Sequence, residues 1–213
     1  GDWFVRGIVK RILDLTVSSF LLVVLSPVLG LIALAILLTS GRPVLFRQTR
    51  PGLHAKPFVL LKFRTMTSGR NANGELLPDG DRITRLGRFL RRSSLDELPE
   101  LWNVLKGQMS LVGPRPLLMR YLDYFTETES KRFQALPGVT GLAQIKGRND
   151  LSWDDRLSWD VEYTQKASAW LDLRILFVTA LRVVRQSGVQ VNPGASMLDL
   201  DASRKQTVGK SDP

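Results

Sequence analysis

The chain has 213 residues, no cysteine, a single histidine and a formal net charge of +10. Without cysteine, the sequence excludes disulfides, a cysteine-ligated zinc site, an iron–sulfur cluster and a thiolate nucleophile. The single histidine, His54, excludes a multi-histidine metal site, and its loop setting (RPGLHAKPF) indicates a surface residue. Carboxylate chemistry is therefore the main catalytic option that the composition leaves open.

The positive charge is concentrated around one long apolar run. Residues 1–92 contain 15 Lys+Arg and 5 Asp+Glu, whereas residues 93–213 contain 15 of each. The run from Leu15 to Leu38 has 24 residues and no charge. As a straight helix it would be about 36 Å long, enough to cross a hydrocarbon core of about 30 Å. It is too long for a signal peptide and longer than the core helix of a small domain needs, so it predicts a membrane segment.

The apolar run is interrupted near its centre by Ser26-Pro27, where proline removes a helical hydrogen bond and predicts a kink. Positive charge marks the cytoplasmic side of a membrane segment. Here both flanks are basic: they contain Arg6, Lys10 and Arg11 before the run, and Arg42, Arg47, Arg50 and Lys56 after it. We therefore expect residues 1–40 to form a re-entrant helix-break-helix hairpin with both ends in the cytoplasm. An ordinary kinked span is the alternative.

Beyond the membrane segment, the pattern predicts a small α+β domain, mainly helical, over residues 41–190. Val44–Gln48 and Phe58–Phe63 predict strands joined by a turn at Arg50-Pro51-Gly52, and the polar residues 68–82 predict a loop. Helices are expected over Ile83–Arg92, from Ser94 to about Gly107, and over Tyr121–Leu136, Trp153–Lys166 and Trp170–Gln186. Residues 191–213 are expected to be a flexible tail.

Two of these helices have faces that favour more than one interpretation. Arg85, Arg88 and Arg92 share one face of the first helix, which is either a solvated basic face or a contact surface for phosphates of lipid or substrate. The last helix, WLDLRILFVTALRVVRQ, suits a surface helix at a membrane or equally a core helix.

The acidic pair Asp96-Glu97 is the main candidate for chemistry. Ser94 and Glu97 fit a capping box, so both carboxylates can be explained as helix-capping residues alone. Arg91 precedes them, and Arg115, held between two prolines, suits the clamping of phosphate oxygens. A carboxylate beside a phosphate needs an intervening cation, typically Mg²⁺, and a carboxylate can attack phosphorus directly. The sequence has neither a Walker A motif nor G-x-G-x-x-G.

Several motifs occur together and in order along the chain. They are LSPV, RQTRPG, LLKFRTM, RSSLDELPELWNVLKGQMSLVGPRPLL, LPGVTGLAQIKGRN and WLDLRILFVTAL. In this combination the chain resembles the bacterial sugar transferases, the monotopic phosphoglycosyl transferases, from about Ile8 to Gly188. The resemblance is to the short form, which lacks the large N-terminal membrane domain of longer relatives. Length and tail are close to the enzyme that loads di-N-acetylbacillosamine phosphate.

The resemblance implies transfer of a sugar-1-phosphate from a UDP-sugar to polyprenyl (undecaprenyl) phosphate, with release of UMP. Asp96 would be the nucleophile that forms a covalent phosphosugar, and Glu97 its partner at Mg²⁺. Arg91 and Arg115 would bind phosphate, and Lys62 of KFRTM would line the site. Ser26-Pro27 would be the break of the re-entrant helix. The reaction would be the first membrane step of a glycoconjugate or exopolysaccharide pathway.

The resemblance also implies where the protein works. The expected location is the bacterial inner membrane, with the catalytic domain facing the cytoplasm and membrane lipid as a partner. The donor is expected to be an N-acetylated UDP-sugar. The alternative to an enzyme is a membrane-anchored basic module that binds polyanions. The basic half lacks the interleaved aromatic residues of a nucleic-acid platform, so no nucleic-acid partner is expected. The sequence leaves the oligomeric state open.

Overall fold

A computed structural model describes residues 2–147, 151–185 and 199–208. Its α+β, mainly helical architecture confirms the predicted fold class. The α-helices are α1 Asp2–Val24, α2 Ser26–Ser40, α3 Asp79–Arg82, α4 Arg85–Ser93, α5 Glu100–Leu105, α6 Glu127–Ser130, α7 Leu142–Lys146, α8 Trp153–Lys166, α9 Ala169–Arg185 and α10 Leu200–Val208. The strands are β1 Leu45–Pro51, β2 Pro57–Phe63, β3 Ser110–Val112 and β4 Gly138–Thr140. Short 3₁₀ helices lie at Leu53–Ala55, Leu95–Glu97, Met119–Tyr124 and Lys131–Gln134.

The apolar run forms two helices that meet at an angle. α1 ends at Val24, α2 begins at Ser26 with proline at its start, and the pair is bent by 61°. The Ser26 hydroxyl donates to the carbonyl of Val23 at 2.8 Å, which satisfies a carbonyl exposed by the break. No single helix among the described residues is long and apolar enough to cross a bilayer. By length and composition alone, the bent pair together could cross one.

The first half of α1 is anchored to the rest of the molecule through polar side chains. Lys10 donates to the carbonyl of Val112 and forms an ion pair with Asp172 at 2.7 Å. Arg11 binds the last carbonyls of α5, and Asp14 accepts from the backbone N–H of Leu111 at 3.0 Å. The basic residues before the apolar run therefore fix the hairpin to the domain that follows it.

The antiparallel pair β1–β2 supplies one wall of the site, with Leu45 opposite Phe63 and Pro51 opposite Pro57. On the other edge of β2, buried Asn103 of α5 accepts from the N–H of Leu61 and donates to the carbonyl of Val59. One amide side chain thus replaces a neighbouring strand and fixes α5 against β2.

The main core lies between α1, α5, β2 and the helices α8 and α9. Parallel strands β3 and β4 cross it, with Ser110 opposite Gly138. Its buried members are Phe58, Leu60, Leu101, Val104, Met109, Leu111, Val112, Leu142, Tyr163 and Ile175. A second cluster joins α2 to α4 and β2 through Ile32, Ile36, Phe63 and Leu90. The bent helix pair α1–α2 and the α+β domain therefore share apolar cores.

Several predicted elements agree with the structure. The helix predicted at Trp153–Lys166 has the same bounds, and the last predicted helix is present as α9. Of the predicted loop 68–82, residues 68–78 are irregular apart from a bridge between Arg70 and Leu76, whereas Asp79–Arg82 form the one-turn helix α3. His54 is exposed, as predicted. Gly107 follows α5 with a φ of 75°, as expected of a glycine that ends a helix.

Three predicted features are wrong. The chain turns at 52–56 rather than at Arg50-Pro51-Gly52, because β1 runs on through Pro51. The predicted helix Tyr121–Leu136 is broken into two 3₁₀ turns and one turn of α-helix, and it contains a capping box at Thr126 that starts a new helix. The third is the capping box predicted at Ser94, whose side chain makes no capping hydrogen bond.

The predicted tail is also wrong in part. Residues Leu200–Val208 form α10, Leu200 is fully buried, and Asp199 accepts from the Tyr121 hydroxyl at 2.8 Å. Arg204 forms ion pairs with Glu129 and Asp154. Residues 191–198 and 209–213 lie outside the described residues. The domain boundaries at residues 40 and 190 stay predictions.

Candidate active site

The candidate site lies where the end of β2, the last turn of α4, the 3₁₀ turn between α4 and α5, and the segment after β3 meet. The five residues predicted from the sequence come from these four segments, and the structure brings them together. They are Lys62, Arg91, Asp96, Glu97 and Arg115.

Glu97 is the centre of a half-buried ion cluster. The Lys62 ammonium donates to Oε1 of Glu97 at 2.6 Å, and the Arg115 guanidinium donates to the same oxygen. Arg115 contacts the second oxygen, Oε2, only at 3.5 Å. Lys62 also forms an ion pair with the buried Glu100 at 3.1 Å. Glu97 therefore holds both cations in place, and one of its oxygens is left with a weak contact.

Asp96 differs from its neighbour because its carboxylate is free. The residue is 9% exposed, yet its side chain makes no hydrogen bond or ion pair within the part of the chain that the structure describes. Lys62, Arg115 and Arg91 all act on it electrostatically. An almost buried carboxylate surrounded by cations but bonded to none of them is available to react.

The two carboxylates differ in how readily they take up a proton. Burial and repulsion by Glu97 raise the pKa of Asp96 to about 6, against the attraction of Lys62, Arg115 and Arg91. Although burial opposes it, the adjacent Arg115 and Lys62 hold the pKa of Glu97 well below its usual range. Glu97 is therefore a permanent anion, while Asp96 is ionised at neutral pH but poorly stabilised, as expected of a nucleophile.

The position of Arg91 depends on a close approach between α4 and the end of β2. Its Nε donates to the Thr65 hydroxyl at 3.1 Å. A Cβ placed on Gly87, one turn earlier, would lie 2.0 Å from the Thr65 carbonyl oxygen, so no larger residue fits without moving the helix. The glycine allows α4 to carry Arg91 to the carboxylates.

The predicted capping box at Ser94 is wrong. Ser94 ends α4 in a left-handed conformation, with a φ of 57°, and its side chain caps nothing. Asp96 and Glu97 lie in a separate 3₁₀ turn, and α5 begins only at Glu100 because Pro99 has no N–H to continue the helical ladder. Their position is therefore not explained by helix capping.

Sequence reasoning missed Glu100. Burial and repulsion by Glu97 raise its pKa to about 7, against the attraction of Lys62. Glu100 lies three residues after Glu97, a spacing that places two side chains on the same side of a helical turn. This spacing was a usable signal for a third carboxylate beside Lys62.

Sequence reasoning also missed a buried ion pair behind Arg115. Arg132 donates to the backbone carbonyl of Arg115 at 2.6 Å and to Asp160 at 2.6 Å, and both partners of the pair are buried. The backbone and the guanidinium of Arg115 are thus fixed from opposite sides. Asp160 lies three residues after buried Leu157 on α8, which places it on the apolar face of that helix. A carboxylate on an apolar face was the available sequence signal for a buried ion pair.

Comparison with known families decides the classification. The bacterial sugar transferase family model matches residues 5–186, which include the hairpin and the whole site. The chain belongs to the bacterial sugar transferase family.

Named relatives agree with this membership. The chain is 51% identical to an uncharacterized sugar transferase, EpsL, of Bacillus subtilis (strain 168) over 86% of its own length and 91% of that protein's. It is 44% identical to a UDP-glucose:undecaprenyl-phosphate glucose-1-phosphate transferase of Caulobacter vibrioides, covering 80% of this chain and 67% of the other. A Klebsiella pneumoniae protein of the same name is 41% identical, and the match covers 84% of this chain and 40% of that protein. The chain thus spans only about two fifths of the longer sugar transferases.

Proposed function

We propose that this bacterial sugar transferase moves a sugar-1-phosphate from a UDP-sugar to polyprenyl phosphate and releases UMP, with Asp96 as the nucleophile. The observation that carries the proposal is the free carboxylate of Asp96 at the centre of Lys62, Arg91 and Arg115. The Caulobacter relative, named as a UDP-glucose:undecaprenyl-phosphate glucose-1-phosphate transferase, supports the donor and acceptor classes.

The reaction has two displacements at one phosphorus atom. In the first, an Asp96 oxygen bonds to the β-phosphorus of the UDP-sugar, the bond from this phosphorus to the bridging oxygen breaks, and UMP leaves with that oxygen. In the second, an oxygen of polyprenyl phosphate bonds to the same phosphorus and the acyl-phosphate bond to Asp96 breaks. The products are polyprenyl-diphosphate sugar and the original carboxylate, so no proton transfer is needed when the acceptor is ionised.

The cations surrounding Asp96 make this attack electrostatically feasible. A carboxylate and a diphosphate repel each other, and Arg91 and Arg115 can bind the phosphate oxygens that carry the negative charge. Glu97 is held ionised by Arg115 and Lys62, so it serves better as the anion that positions these two cations than as a general base.

The residues present fit a Mg²⁺ ion. Mg²⁺ is usually bound by one or two carboxylates together with phosphate oxygens of the substrate, so a pair of carboxylates is sufficient. No group of three or more potential protein ligands is found among the described residues. Asp96 has free oxygens, and Oε2 of Glu97 has only the 3.5 Å contact with Arg115. These two residues would hold the ion, which when bound neutralises charge on the diphosphate.

We also propose that the hairpin enters and leaves the membrane on the cytoplasmic side. If its two arms are inclined equally, the 61° bend tilts each by about 30° from the bilayer plane. The 15 residues of α2 then reach about 11 Å deep, far short of a core of about 30 Å. The exposed apolar residues on both arms support insertion; they include Phe20, Val23, Val24, Leu31, Leu34 and Leu38.

The orientation can be tested with single cysteines, since the chain has none of its own. Asp2→Cys and Ala55→Cys should both react with an impermeant maleimide from the cytoplasmic face only. Labelling of the two positions from opposite faces would show a full span.

The identity of the sugar is tested by a panel of UDP-sugars. The protein in lipid nanodiscs with Mg²⁺ and undecaprenyl phosphate is offered UDP-glucose, UDP-galactose and N-acetylated UDP-sugars, and UMP is measured. We expect release with at least one donor, with N-acetylated sugars preferred as the resemblance predicts, and none from Asp96→Asn. Release that is undiminished in this variant would contradict the proposed nucleophile.

A further inference from the structure

Helix α4 has three faces with different surroundings. Leu86 and Leu90 pack against α2, the second arm of the hairpin. Gly87 and Arg91 face Thr65 and the carboxylates of the active site. The third face is exposed. It is formed by Arg85, Arg88, Phe89 and Arg92, which together with Ser93 line an open groove of about 280 Å³.

The arginines of this third face have no protein partners. The side chains of Arg85, Arg88 and Arg92 make no hydrogen bond or ion pair with residues in the described ranges. By contrast, Arg82 just before the helix pairs with Asp79, and Arg91 binds Thr65. Three unpaired positive charges within about 11 Å of one helix repel each other and attract an anion.

The position of α4 indicates which anion it meets. Fully buried Leu90 shares a core with Ile32 and Ile36 of α2, so α4 lies alongside an arm of the hairpin. Arg64 binds the carbonyls of Ser40, Arg42 and Pro43, which fixes the end of α2 to the strand leading to α4. The basic face therefore lies next to the place where the chain leaves the membrane.

The composition of the groove matches the headgroup layer of a bilayer. Phe89 is 56% exposed between the arginines, and an aromatic ring beside basic side chains suits the boundary between phosphates and acyl chains. A soluble nucleotide sugar would be expected at the opposite face of α4, where Arg91 contacts the active site.

We propose that this face of α4 binds the phosphate groups of anionic phospholipids in the cytoplasmic leaflet. Arg85, Arg88 and Arg92 pair with lipid phosphates while Phe89 inserts beside them. The lipid then stabilises the helix that carries Arg91. Only membrane insertion of the hairpin is taken from the proposed function, and flotation of the wild-type protein with neutral vesicles tests that separately from the transfer reaction.

The test compares thermal unfolding of the full chain in nanodiscs of phosphatidylcholine alone and with phosphatidylglycerol added. Phosphatidylglycerol should raise the unfolding midpoint of the wild type by several degrees, and high salt should remove the gain. The double variant Arg88→Gln, Arg92→Gln should lose at least half of it. The control Lys131→Gln, Lys166→Gln removes the same charge from exposed positions outside the basic flanks of the hairpin and should keep the gain.

Each contrary outcome has a defined meaning. A full gain in the Arg88, Arg92 variant would overturn the proposal. A gain in stability produced by inorganic phosphate in neutral nanodiscs would also overturn the proposal, because it would indicate a site for soluble anions. A gain produced by traces of polyprenyl phosphate but not by phosphatidylglycerol would overturn it as well, because the face would then bind the acceptor. If the glutamine variant is less stable in neutral nanodiscs, Arg88→Lys, Arg92→Lys replaces it. Because lysine retains the charge, this variant must keep most of the gain.

Discussion

Two clusters of arginine and carboxylate, one buried and one half-buried, meet at Arg115 and differ in whether a carboxylate is left free. On one side, Arg132 pairs with Asp160 and binds the Arg115 carbonyl, so both charges are used to fix the backbone. On the other, Arg115 pairs with Glu97, while Asp96 is bonded to nothing in the described chain. The paired cluster holds backbone in place, whereas the free carboxylate belongs to the residue that we propose as the nucleophile.

The largest expected effect is on transfer by Asp96→Asn. The amide cannot displace UMP, so the rate should fall by on the order of 10³-fold or more. Because no partner is lost, the free energy of unfolding should not decrease. The rate is measured as UMP release and the stability as chemical denaturation in the same nanodiscs. Residual turnover above a tenth of the wild-type rate would contradict the proposal that the free carboxylate of Asp96 is the nucleophile.

In contrast to Asp96→Asn, the main effect of Asp160→Asn should be on the free energy of unfolding. The substitution leaves buried Arg132 without its counter-charge, and the free energy of unfolding should fall by about 3–5 kcal/mol. Asp123→Asn, at an exposed position with no side-chain partner among the described residues, is the control and should change little. Equal stability of the two variants would show that the Arg132–Asp160 pair does not support the fold.

Arg115→Lys tests the residue that joins the clusters. Lysine keeps the charge but loses the planar fork, so transfer should fall on the order of 10²-fold. Arg120→Lys, which changes an exposed arginine paired with Asp199, should keep the wild-type rate. A similar rate in both variants would mean that only the charge at position 115 matters.

The smallest expected effect is a pH dependence of stability in metal-free buffer. The pKa of Asp96 is raised to about 6 in the folded chain, so its contribution to stability is present at low pH and is lost as pH rises through 6. Asp96→Asn should therefore be more stable than wild type at pH 7.5 by about 1–3 kcal/mol. The difference should vanish below about pH 4. A difference that is independent of pH would indicate that Asp96 is not the titrating group.

The sequence predicted much of this arrangement because the site residues lie in short, specific motifs. The motifs predict all five residues of the site, and their side chains lie together in the structure: Lys62, Arg91, Asp96, Glu97 and Arg115. The break at Ser26-Pro27 could be predicted because proline acts through its own backbone, without help from distant residues.

The features that were missed depend on contacts between distant segments. Arg132 lies in a stretch whose helical pattern does not reveal the breaks of the observed structure, and its partner Asp160 is 28 residues away. The burial of Leu200 requires that the chain return to pack on the segment containing Tyr121, which no local pattern indicates. Ser94 was assigned to the wrong role because its left-handed conformation ends one helix instead of starting the next.

The most direct test of Asp96 as nucleophile is to trap the covalent phosphosugar. The protein is mixed with the UDP-sugar selected by the panel and Mg²⁺, without acceptor, and digested for mass spectrometry. The expected result is a sugar-phosphate adduct on the peptide that contains Asp96, lost when polyprenyl phosphate is added. The contradicting result is an unmodified peptide, with UMP formed only when donor and acceptor are present together.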